Sequence, residues 1–363
     1  MREPNILYVV DEWRARGGAH RYLRDLIDAF SGCPQRIAVG RLDKQTPLPG
    51  SLKVQPCRAL SSPVANTRGL NRLNEWIKWA DVISIQNVHN PVALDHFSKS
   101  GKSIVTIQDH RFFCPSIGKT LPDRQRCLQP AQSSICAECI PDSAYLDATL
   151  GLMKDRRDAI ANARCVVLSD YMAREWGALT GRRPMIAPPW TVRSGGSARR
   201  EGWIIAGRLS SHKDPDFAFE AWNRAGRPET LYVLGDGKHS YSGVGVKALG
   251  WLDHDSFMLH LQKVRALLFP SLWQEPYGIV GMEALACNTP VIVCATGGMN
   301  AWMGRGSRAV RSIDEMAFEM KFLLEKHSGF QGYPMRSPSA WDHQRARSIG
   351  RWTALISTVA SKR

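Results

Sequence analysis

The chain has 363 residues, is 44% hydrophobic and 22% charged, and carries a formal net charge of +15, which is typical of a globular protein long enough for two domains. No apolar run approaches the roughly 20 residues of a membrane span, and the N-terminus has no hydrophobic signal segment, so we expect a cytoplasmic protein. The positive charge favours anionic partners, either a nucleotide diphosphate or the inner face of an anionic membrane, and the lack of a nucleic-acid-binding signature argues against nucleic acid.

The first part of the chain alternates short β-branched runs with segments of helical period. This alternation predicts a parallel sheet covered by helices on both faces. A loop over 11–18, ending in Gly17 and Gly18, separates the first strand from the first helix. The predicted strands are 5–10, 82–86, 103–107, 165–168 and 185–187, and the predicted helices are 19–30, 71–80, 92–99, 150–163 and 170–176.

A polar insert over 111–145 contains four of the nine cysteines, Cys114, Cys127, Cys136 and Cys139. The last two have the Cys-x2-Cys spacing of zinc knuckles. Four thiolates can form a tetrahedral zinc site and so fold an insert that has little core of its own. Free thiols in a lid are the alternative, because only one pair has tight ligand spacing, and the odd cysteine count argues against a disulfide framework.

Residues 191–200 (TVRSGGSARR) are rich in Gly, Ser and Arg and follow two prolines, which predicts a linker. The first domain would then span 1–190 and the second 201–340, with a terminal helix over 341–363. The predicted strands of the second domain are 203–206, 231–234, 266–270 and 290–294, and its predicted helices are 255–264, 279–286 and 313–326.

The stretch 271–298 (SLWQEPYGIVGMEALACNTPVIVCATGG) predicts a loop, a short helix, a strand and a glycine turn. Glu275 lies in the loop and Glu283 on the helix. The unpaired amides at the start of that helix and the positive end of its dipole form a natural phosphate site. Two carboxylates beside such a site can bind sugar hydroxyls while the amides bind the anion.

The pattern E-P-[FY]-G-x4-E, followed by A-C-x-T-P-V and Gly-Gly, closely resembles the donor-site signature of family 4 glycosyltransferases; an ordinary loop–helix–strand unit is the alternative. The resemblance implies the α/β GT-B fold: two Rossmann-like domains with parallel sheets facing across a cleft, and a C-terminal helix that can cross back to the first domain. It implies sugar transfer from a nucleotide-diphosphate sugar to a glycan, lipid-linked or other hydroxyl acceptor, with retention of configuration and without a catalytic metal. The setting would be synthesis of cell-surface polysaccharide or glycolipid.

The resemblance also assigns roles to individual residues. Glu275 would bind sugar hydroxyls and support positive charge at the anomeric carbon, and Glu283 would bind the ribose. Arg208 and Lys213, in a segment resembling the family's G-R-L-x-x-x-K, would stabilise the leaving diphosphate. The other implied donor contacts are Gly17, Gly18, Leu252, Tyr277, Gly278, Ile279 and Val280. For Gly17 and Gly18 a structural turn is the alternative, and some members of the family have a cysteine-bearing insert at the place of 111–145.

The segment QDHRFFC at 108–114 resembles the family's H-D-Y-x-x-x-C-P, with Gln108 where a histidine is common. Glutamine cannot transfer a proton. A general base would therefore have to be Asp109 or His110, unless the leaving phosphate takes the acceptor proton in a front-face reaction. For His110 a solvated loop histidine is the alternative.

Three other functions remain open at this point. The chain can be a GT-B phosphorylase, a sugar-nucleotide epimerase, or a non-catalytic nucleotide-sugar-binding protein. A phosphorylase would release sugar phosphate only when given inorganic phosphate. A binding protein would bind nucleotide without transferring or hydrolysing the sugar.

Overall fold

The computed structural model describes residues 2–14, 16–43, 46–48, 52–116, 118–195, 200–237, 241–325 and 335–361. The chain forms two compact units, Met1–Pro188 with Arg347–Arg363 and Pro189–Ala346. Residues 196–199 of the predicted linker lie outside the described residues. Arg200, placed in the linker by its sequence, is instead buried.

The first unit is built on a parallel sheet, as the sequence predicts. Within the described residues its strands are β1 (Ile6–Trp13), β2 (Gln35–Leu42), β3 (Lys53–Pro56), β4 (Val82–Gln86), β5 (Ser103–Ile107), β6 (Arg164–Val167) and β7 (Met185–Ile186). They lie in the order β3-β2-β1-β4-β5-β6-β7, and every pair is parallel. Its helices are α1 (Gly18–Ala29), α2 (Asn74–Trp79), α3 (Pro91–Ser98), α4 (Ser133–Cys136), α5 (Ser143–Ala159) and α6 (Asp170–Thr180).

The central strands of this sheet have the composition of fully covered strands. Every residue of β4 and of β5 is buried, which explains why both read as continuous apolar or small runs. The sequence prediction differs from the sheet at three strands. It did not predict β2, and for the region of β3 it gave only loops with one short strand over 41–70. It also ended β1 at residue 10, whereas β1 continues to Trp13 and places Asp11 within the strand.

The second unit is also built on a parallel sheet. Its strands are β8 (Trp203–Ala206), β9 (Leu231–Leu234), β10 (Val246–Gly250), β11 (Ala266–Phe269), β12 (Val291–Val293) and β13 (Ser307–Ala309), in the order β10-β9-β8-β11-β12-β13. The remaining helices are α7 (Pro215–Arg224), α8 (His254–Lys263), α9 (Ile279–Ala286), α10 (Ile313–Glu325) and α11 (Pro338–Ala360). Strands β10 and β13 were not predicted, because they are short, largely exposed and interrupted by Lys247 and Arg308, so neither forms a continuous apolar run.

Arg200 is a structural residue of the second unit. Its guanidinium donates to the carbonyl oxygens of Leu261, Val264 and Cys287 and to the hydroxyl of Thr289. The carbonyls lie at the ends of α8 and α9, where the last turns of a helix leave acceptors without partners. A single arginine therefore joins the ends of two helices.

The terminal helix α11 makes contacts in each unit. Gln344 donates to the hydroxyl of Tyr277, 2.7 Å away, in the second unit. Farther along, Trp352 Nε1 donates to the Tyr22 hydroxyl at 2.8 Å in the first unit. The C-terminal part of α11 thus packs on the first unit, as the resemblance implied. Among the helices of the described segments, none combines the length and hydropathy needed to cross a bilayer.

Candidate functional site

The strand order of the second sheet reverses between β8 and β11. Ligands of open parallel sheets bind beyond the carboxyl ends of the strands at such a reversal, the switch point. The loop after β8 contains Arg208 and Lys213, and the loop after β11 contains Glu275. Close packing of neighbouring turns requires glycine here: a Cβ on Gly235 would lie 1.7 Å from the carbonyl oxygen of Gly207.

Lys213 and Glu275 are in contact at this switch point. Lys213 Nζ donates to Glu275 Oε1, and the hydroxyl of Ser271 donates to the same oxygen at 2.8 Å. Glu275 Oε2 accepts no hydrogen bond from the described residues. The buried carboxylate is therefore held at one oxygen and open to a ligand at the other.

Two further side chains contribute to the electrostatics of this loop pair. The Arg208 side chain is exposed and makes no hydrogen bond or ion pair with the described part of the chain. The ring of His212 packs on Trp273 with centroids 4.8 Å apart. Burial, and after it the charges of Lys213 and Arg208, lower the pKa of His212 to about 4. His212 is thus neutral at physiological pH, and Arg208 provides an available positive charge.

The predicted glycine turn after β12 supports the backbone of Glu275. Gly298 N–H donates to the carbonyl oxygen of Glu275 at 2.6 Å. Gly297 has φ 54°, and a Cβ on it would lie 2.5 Å from that oxygen. A side chain at position 297 would therefore displace the loop that presents the Glu275 carboxylate.

The start of α9 presents backbone rather than side-chain groups. Gly278 has φ 77° and precedes the helix, so the amides of Ile279 and Val280 lie in its first turn, where no intrahelical acceptor exists. Tyr277 is 1% exposed, its hydroxyl accepts from Gln344, and its carbonyl accepts from Trp302 Nε1. The side chain of Tyr277 belongs to the core, and only its backbone is placed to contact a ligand.

Glu283 has a partner that the sequence did not indicate. His254 Nε2 lies 2.8 Å from Glu283 Oε1, while Glu283 Oε2 has no partner among the described residues. His254 is the first residue of α8, two positions after Leu252, and Asp253 caps the helix by accepting from the amide of Ser256. The sequence signal was only that a histidine follows the turn containing Leu252.

The first unit has its own polar cluster after β5. Asp109 Oδ2 lies 3.3 Å from His89 Nε2 and from Arg111 Nε, and Arg111 NH1 lies 3.0 Å from His89 Nδ1. Since a guanidinium can only donate, Nδ1 accepts and the neutral ring carries its proton on Nε2. Burial opposes ionisation of Asp109, but His89 and Arg111 outweigh it and keep the pKa of this carboxyl well below its usual range.

Gln108 is the end of a buried hydrogen-bond ladder. Its Nε2 donates to Gln86 Oε1 at 2.7 Å. Gln86 in turn donates to the hydroxyls of Ser84 and Thr106. Gln108 Oε1 is buried and has no partner in the described residues. Gln108, at the position where the resembling family commonly has a histidine, is thus fixed through its Nε2. Its Oε1 makes no hydrogen bond with the described residues.

His110 is not a solvated loop histidine, so that alternative is wrong. It is 2% exposed, its Nε2 lies 3.0 Å from the Tyr171 hydroxyl, and its ring packs edge-on against Phe113. His110 is buried because the chain after β5 turns back onto α6, which contains Tyr171.

Gly17 precedes α1 with φ 96°, a conformation that favours glycine, and Gly18 begins that helix.

The cysteine insert is attached to the first unit by a buried ion pair. Lys119 Nζ lies 3.1 Å from a carboxylate oxygen of Glu175 on α6. Cys136, Ile140 and Leu146 form a small apolar cluster, so the insert has some core of its own. The four cysteines form no disulfide, and no group of three or more His, Cys, Asp or Glu among the described residues is arranged to hold a metal. Zinc binding stays a prediction.

Comparison with known proteins agrees with this geometry. Residues 200–326 match the family model described as glycosyl transferases group 1, so the second unit carries a domain of that type. A glycogen synthase from Mycobacterium tuberculosis (strain CDC 1551 / Oshkosh) is 26% identical over 175 residues, which are 43% of this chain and 41% of that protein. The chain thus aligns with less than half the length of the curated relatives it matches.

Solved structures resemble the whole chain. Anabaena HepE in complex with UDP-glucose has a TM-score of 0.63 at 15% identity, with 99% of each chain covered. WaaG, described as a glycosyltransferase involved in lipopolysaccharide biosynthesis, has a TM-score of 0.60 at 14% identity, with 98% of each chain covered. A glycosyltransferase from Rickettsia africae ESF-5 has a TM-score of 0.65 at 11% identity, with 100% of each chain covered. These likenesses show that the fold is GT-B, the fold expected from the motif.

Proposed function

We propose that the protein is a family 4-type glycosyltransferase that moves a sugar from a nucleotide-diphosphate sugar to a hydroxyl acceptor with retention of configuration. The observation that carries the proposal is the arrangement at the second switch point. Lys213 holds Glu275 by one oxygen, the other oxygen is open, and the cation of Arg208 is without a partner in the described residues. Open acceptor and donor groups at the place where parallel sheets bind ligands indicate a polar, anionic substrate.

The cations suit the leaving group. A diphosphate that departs from the anomeric carbon gains negative charge, and fixed positive groups stabilise that charge in the transition state. Arg208 presents a planar fork and Lys213 a compact ammonium with three donors, of which the bond to Glu275 uses one. The amides of Ile279 and Val280 can add further donors. We therefore propose catalysis without a metal ion.

The carboxylates suit the sugar and the ribose. Glu275 Oε2 can accept from a sugar hydroxyl, and its charge can support positive charge at the anomeric carbon. Glu283 Oε2 can accept from a ribose hydroxyl while His254 holds Oε1. Leu252, two residues before His254, would contact the base. Since the similar HepE structure contains UDP-glucose, we propose UDP-sugars as the first donors to examine.

We propose that neither Asp109 nor His110 acts as a general base. The pKa of Asp109 is held far below neutrality, so its carboxylate is a weak proton acceptor. Nε2 of His110 is within hydrogen-bond distance of Tyr171, away from solvent. We propose instead that Asp109 binds acceptor hydroxyls as a fixed anion, and that Gly17 and Gly18 allow close approach of a substrate to the backbone.

The remaining assignments are also proposals. The acceptor would be a glycan or a lipid-linked molecule in cell-surface polysaccharide or glycolipid synthesis, reached in the cytoplasm, with peripheral contact to the anionic inner leaflet through the basic surface. The cysteine insert would bind zinc for structure alone. Elemental analysis would then give about one zinc per chain; metal-free protein with unchanged melting temperature would contradict this.

A nucleotide-sugar screen tests the proposed activity. Thermal shift and donor turnover are measured for UDP-, GDP-, ADP- and dTDP-sugars, with and without inorganic phosphate. We expect one nucleotide class to stabilise the protein, and its sugar to be hydrolysed slowly or transferred, without a phosphate requirement. Sugar phosphate formed only with inorganic phosphate would indicate a phosphorylase. An altered nucleotide sugar in place of a released sugar would indicate an epimerase, and binding without turnover would indicate a non-catalytic protein.

A further inference from the structure

His212 lies beside the switch point of the second sheet, in the loop after β8 that also contains Arg208 and Lys213. The pattern G-R-L-x-x-x-K, which this loop resembles, leaves position 212 open, and the proposed function gives the residue no task. Its imidazole is partly exposed and lies within the electrostatic influence of both cations. The contacts of the ring indicate what it can bind.

The backbone of His212 is fixed by the neighbouring loop. The amides of Leu272 and Trp273 both donate to the carbonyl oxygen of His212, at 3.1 and 2.9 Å. These two bonds join the loop after β8 to the loop after β11. The imidazole is therefore attached to the same pair of loops in which Lys213 contacts Glu275.

The ring of His212 is also held in place. It packs on the indole of Trp273, with ring centroids 4.8 Å apart and planes tilted by 37°, and its Nε2 lies 3.3 Å from the hydroxyl oxygen of Ser210. Lys213 Nζ lies 5.4 Å from the centroid of the same indole. Because the ring is already ordered, a ligand that binds to it loses little affinity to side-chain ordering.

The second ring nitrogen of His212 is available to a ligand. His212 Nδ1 makes no hydrogen bond with the described residues. It is also not among their buried polar atoms that lack a partner. Since the two nitrogens of an imidazole point in different directions, Nδ1 faces away from Ser210 and can be reached from solvent.

The ring can present Nδ1 as an uncharged hydrogen-bond donor. One nitrogen of a neutral imidazole carries the proton and the other accepts. The Ser210 hydroxyl has no other hydrogen bond in the described residues, so it can donate to Nε2 and leave the proton on Nδ1. Burial and the charges of Lys213 and Arg208 oppose a second proton on the ring. His212 therefore adds an N–H group where a third positive charge is unfavourable.

We propose that His212 is a further nucleotide-binding residue, whose Nδ1–H donates to a phosphate oxygen of the bound nucleoside diphosphate beside Arg208 and Lys213. This inference rests on the proposed transferase function and extends its nucleotide-sugar site. A phosphate oxygen is an acceptor only, and a hydrogen bond to a charged acceptor is stronger than one to a neutral group. The two neighbouring cations favour an anion at this place over a neutral sugar hydroxyl.

Calorimetric titration with a nucleoside diphosphate tests the proposal. UDP is the first probe, and the other diphosphates of the screen follow. His212→Phe keeps a ring against Trp273 but removes the N–H. We expect its Kd to rise about 10- to 100-fold, the value of one hydrogen bond to a charged group. His212→Asn, whose amide nitrogen takes the position of Nδ1, should bind within about fivefold of the unaltered protein.

A matched variant separates contact with phosphate from a structural role. The amide nitrogen of His212→Gln takes the position of Nε2, toward Ser210, and leaves nothing at the position of Nδ1. We expect this variant to bind the diphosphate as weakly as His212→Phe does. A purely structural role would lower the melting temperature of all three variants without separating the Kd of His212→Asn from the other two.

The outcomes distinguish this inference from the transferase proposal. If the unaltered protein turns over a nucleotide sugar and His212→Phe has an unchanged Kd, the role of His212 is overturned and the transferase proposal stands. A loss of affinity for the sugar nucleotide but not for the free diphosphate also overturns the phosphate contact. If the unaltered protein neither binds a nucleoside diphosphate nor turns over any nucleotide sugar, both proposals fail.

The comparison does not depend on a single variant. If His212→Phe does not fold, the Asn and Gln variants decide. Weaker binding of the diphosphate by His212→Gln than by His212→Asn supports the proposal, and equal binding contradicts it.

Discussion

The polar groups beside the two sheets differ in how far their charges are paired. In the second unit the polar groups come from two contiguous segments, 207–213 and 271–283, and their charges are partly unpaired: Arg208 has no partner in the described residues, and Glu275 and Glu283 each have an open oxygen. In the first unit the groups follow β4 and β5, and Asp109 already has its charge balanced by Arg111. The open cation of Arg208 suits binding of an anion, whereas open carboxylate oxygens and a balanced charge suit binding of neutral hydroxyls.

The largest expected effect tests the open carboxylate of the second unit. Glu275→Ala should lower kcat by about 10²- to 10³-fold, as loss of one transition-state contact does, and should leave the Kd for the nucleoside diphosphate nearly unchanged. Single-turnover kinetics and calorimetric binding measure the two quantities. Ser271→Ala, which removes only a hydrogen bond to Glu275 Oε1, is the milder control. Equal losses of kcat and affinity would contradict the assigned role.

The next effect compares one buried arginine from each unit. Arg156 donates to the carbonyls of His89, Arg111 and Pro63, as Arg200 does to helix ends in the second unit. Replacing either by Met leaves several buried acceptors unpaired, and we expect a loss of about 3 kcal/mol in the free energy of unfolding. Urea unfolding measures it.

A difference in activity between these two variants would sharpen the comparison. Arg156→Met should also lower turnover at urea concentrations at which the variant is still folded, because the substitution releases the loops that hold His89 and Arg111. Arg200→Met should leave the Asp109 cluster unchanged. If Arg156→Met is as active as the unaltered protein, the cluster of the first unit does not take part in the reaction.

A smaller effect tests the partner of Glu283. His254→Ala should weaken binding of the nucleoside diphosphate about 5- to 10-fold, the value of roughly one hydrogen bond to a carboxylate, with little change in kcat. His254→Gln, whose amide nitrogen takes the position of the imidazole Nε2 and can still donate to Glu283, should recover most of the affinity. His260→Ala is the matched control, since His260 is on the same helix and contacts the carbonyl of Ser256 and the ring of Tyr232, not Glu283. A loss in kcat alone would place His254 in a different role.

The smallest effect concerns Tyr277. Tyr277→Phe removes the hydroxyl that accepts from Gln344, and we expect about 1 kcal/mol of lost stability with unchanged KM for the donor. Thermal melting and steady-state kinetics measure these. A raised KM with an unchanged melting temperature would show that the hydroxyl faces the donor after all.

The sequence alone determined the parallel α/β fold and the loop, helix and glycine turn of segment 271–298 in the second unit. Both depend on local chemistry. Buried parallel strands require continuous apolar runs, and the turns at Gly278 and Gly297 require positive φ or close backbone approach. Each pattern is therefore visible within a few neighbouring residues. The partners of those residues were not determined. His254, which contacts Glu283, lies 29 positions away, and nothing in its own neighbourhood marks it.

The edge of the first sheet was decided by tertiary structure alone. His89 and Asp109 share no local motif, and they meet because strand order places β4 and β5 side by side. The burial of His110 and Arg200 was likewise not indicated by the sequence, because both are polar residues in polar segments. Strand order, burial and charge pairing depend on residues distant in the chain, and these are the quantities that local sequence patterns do not specify.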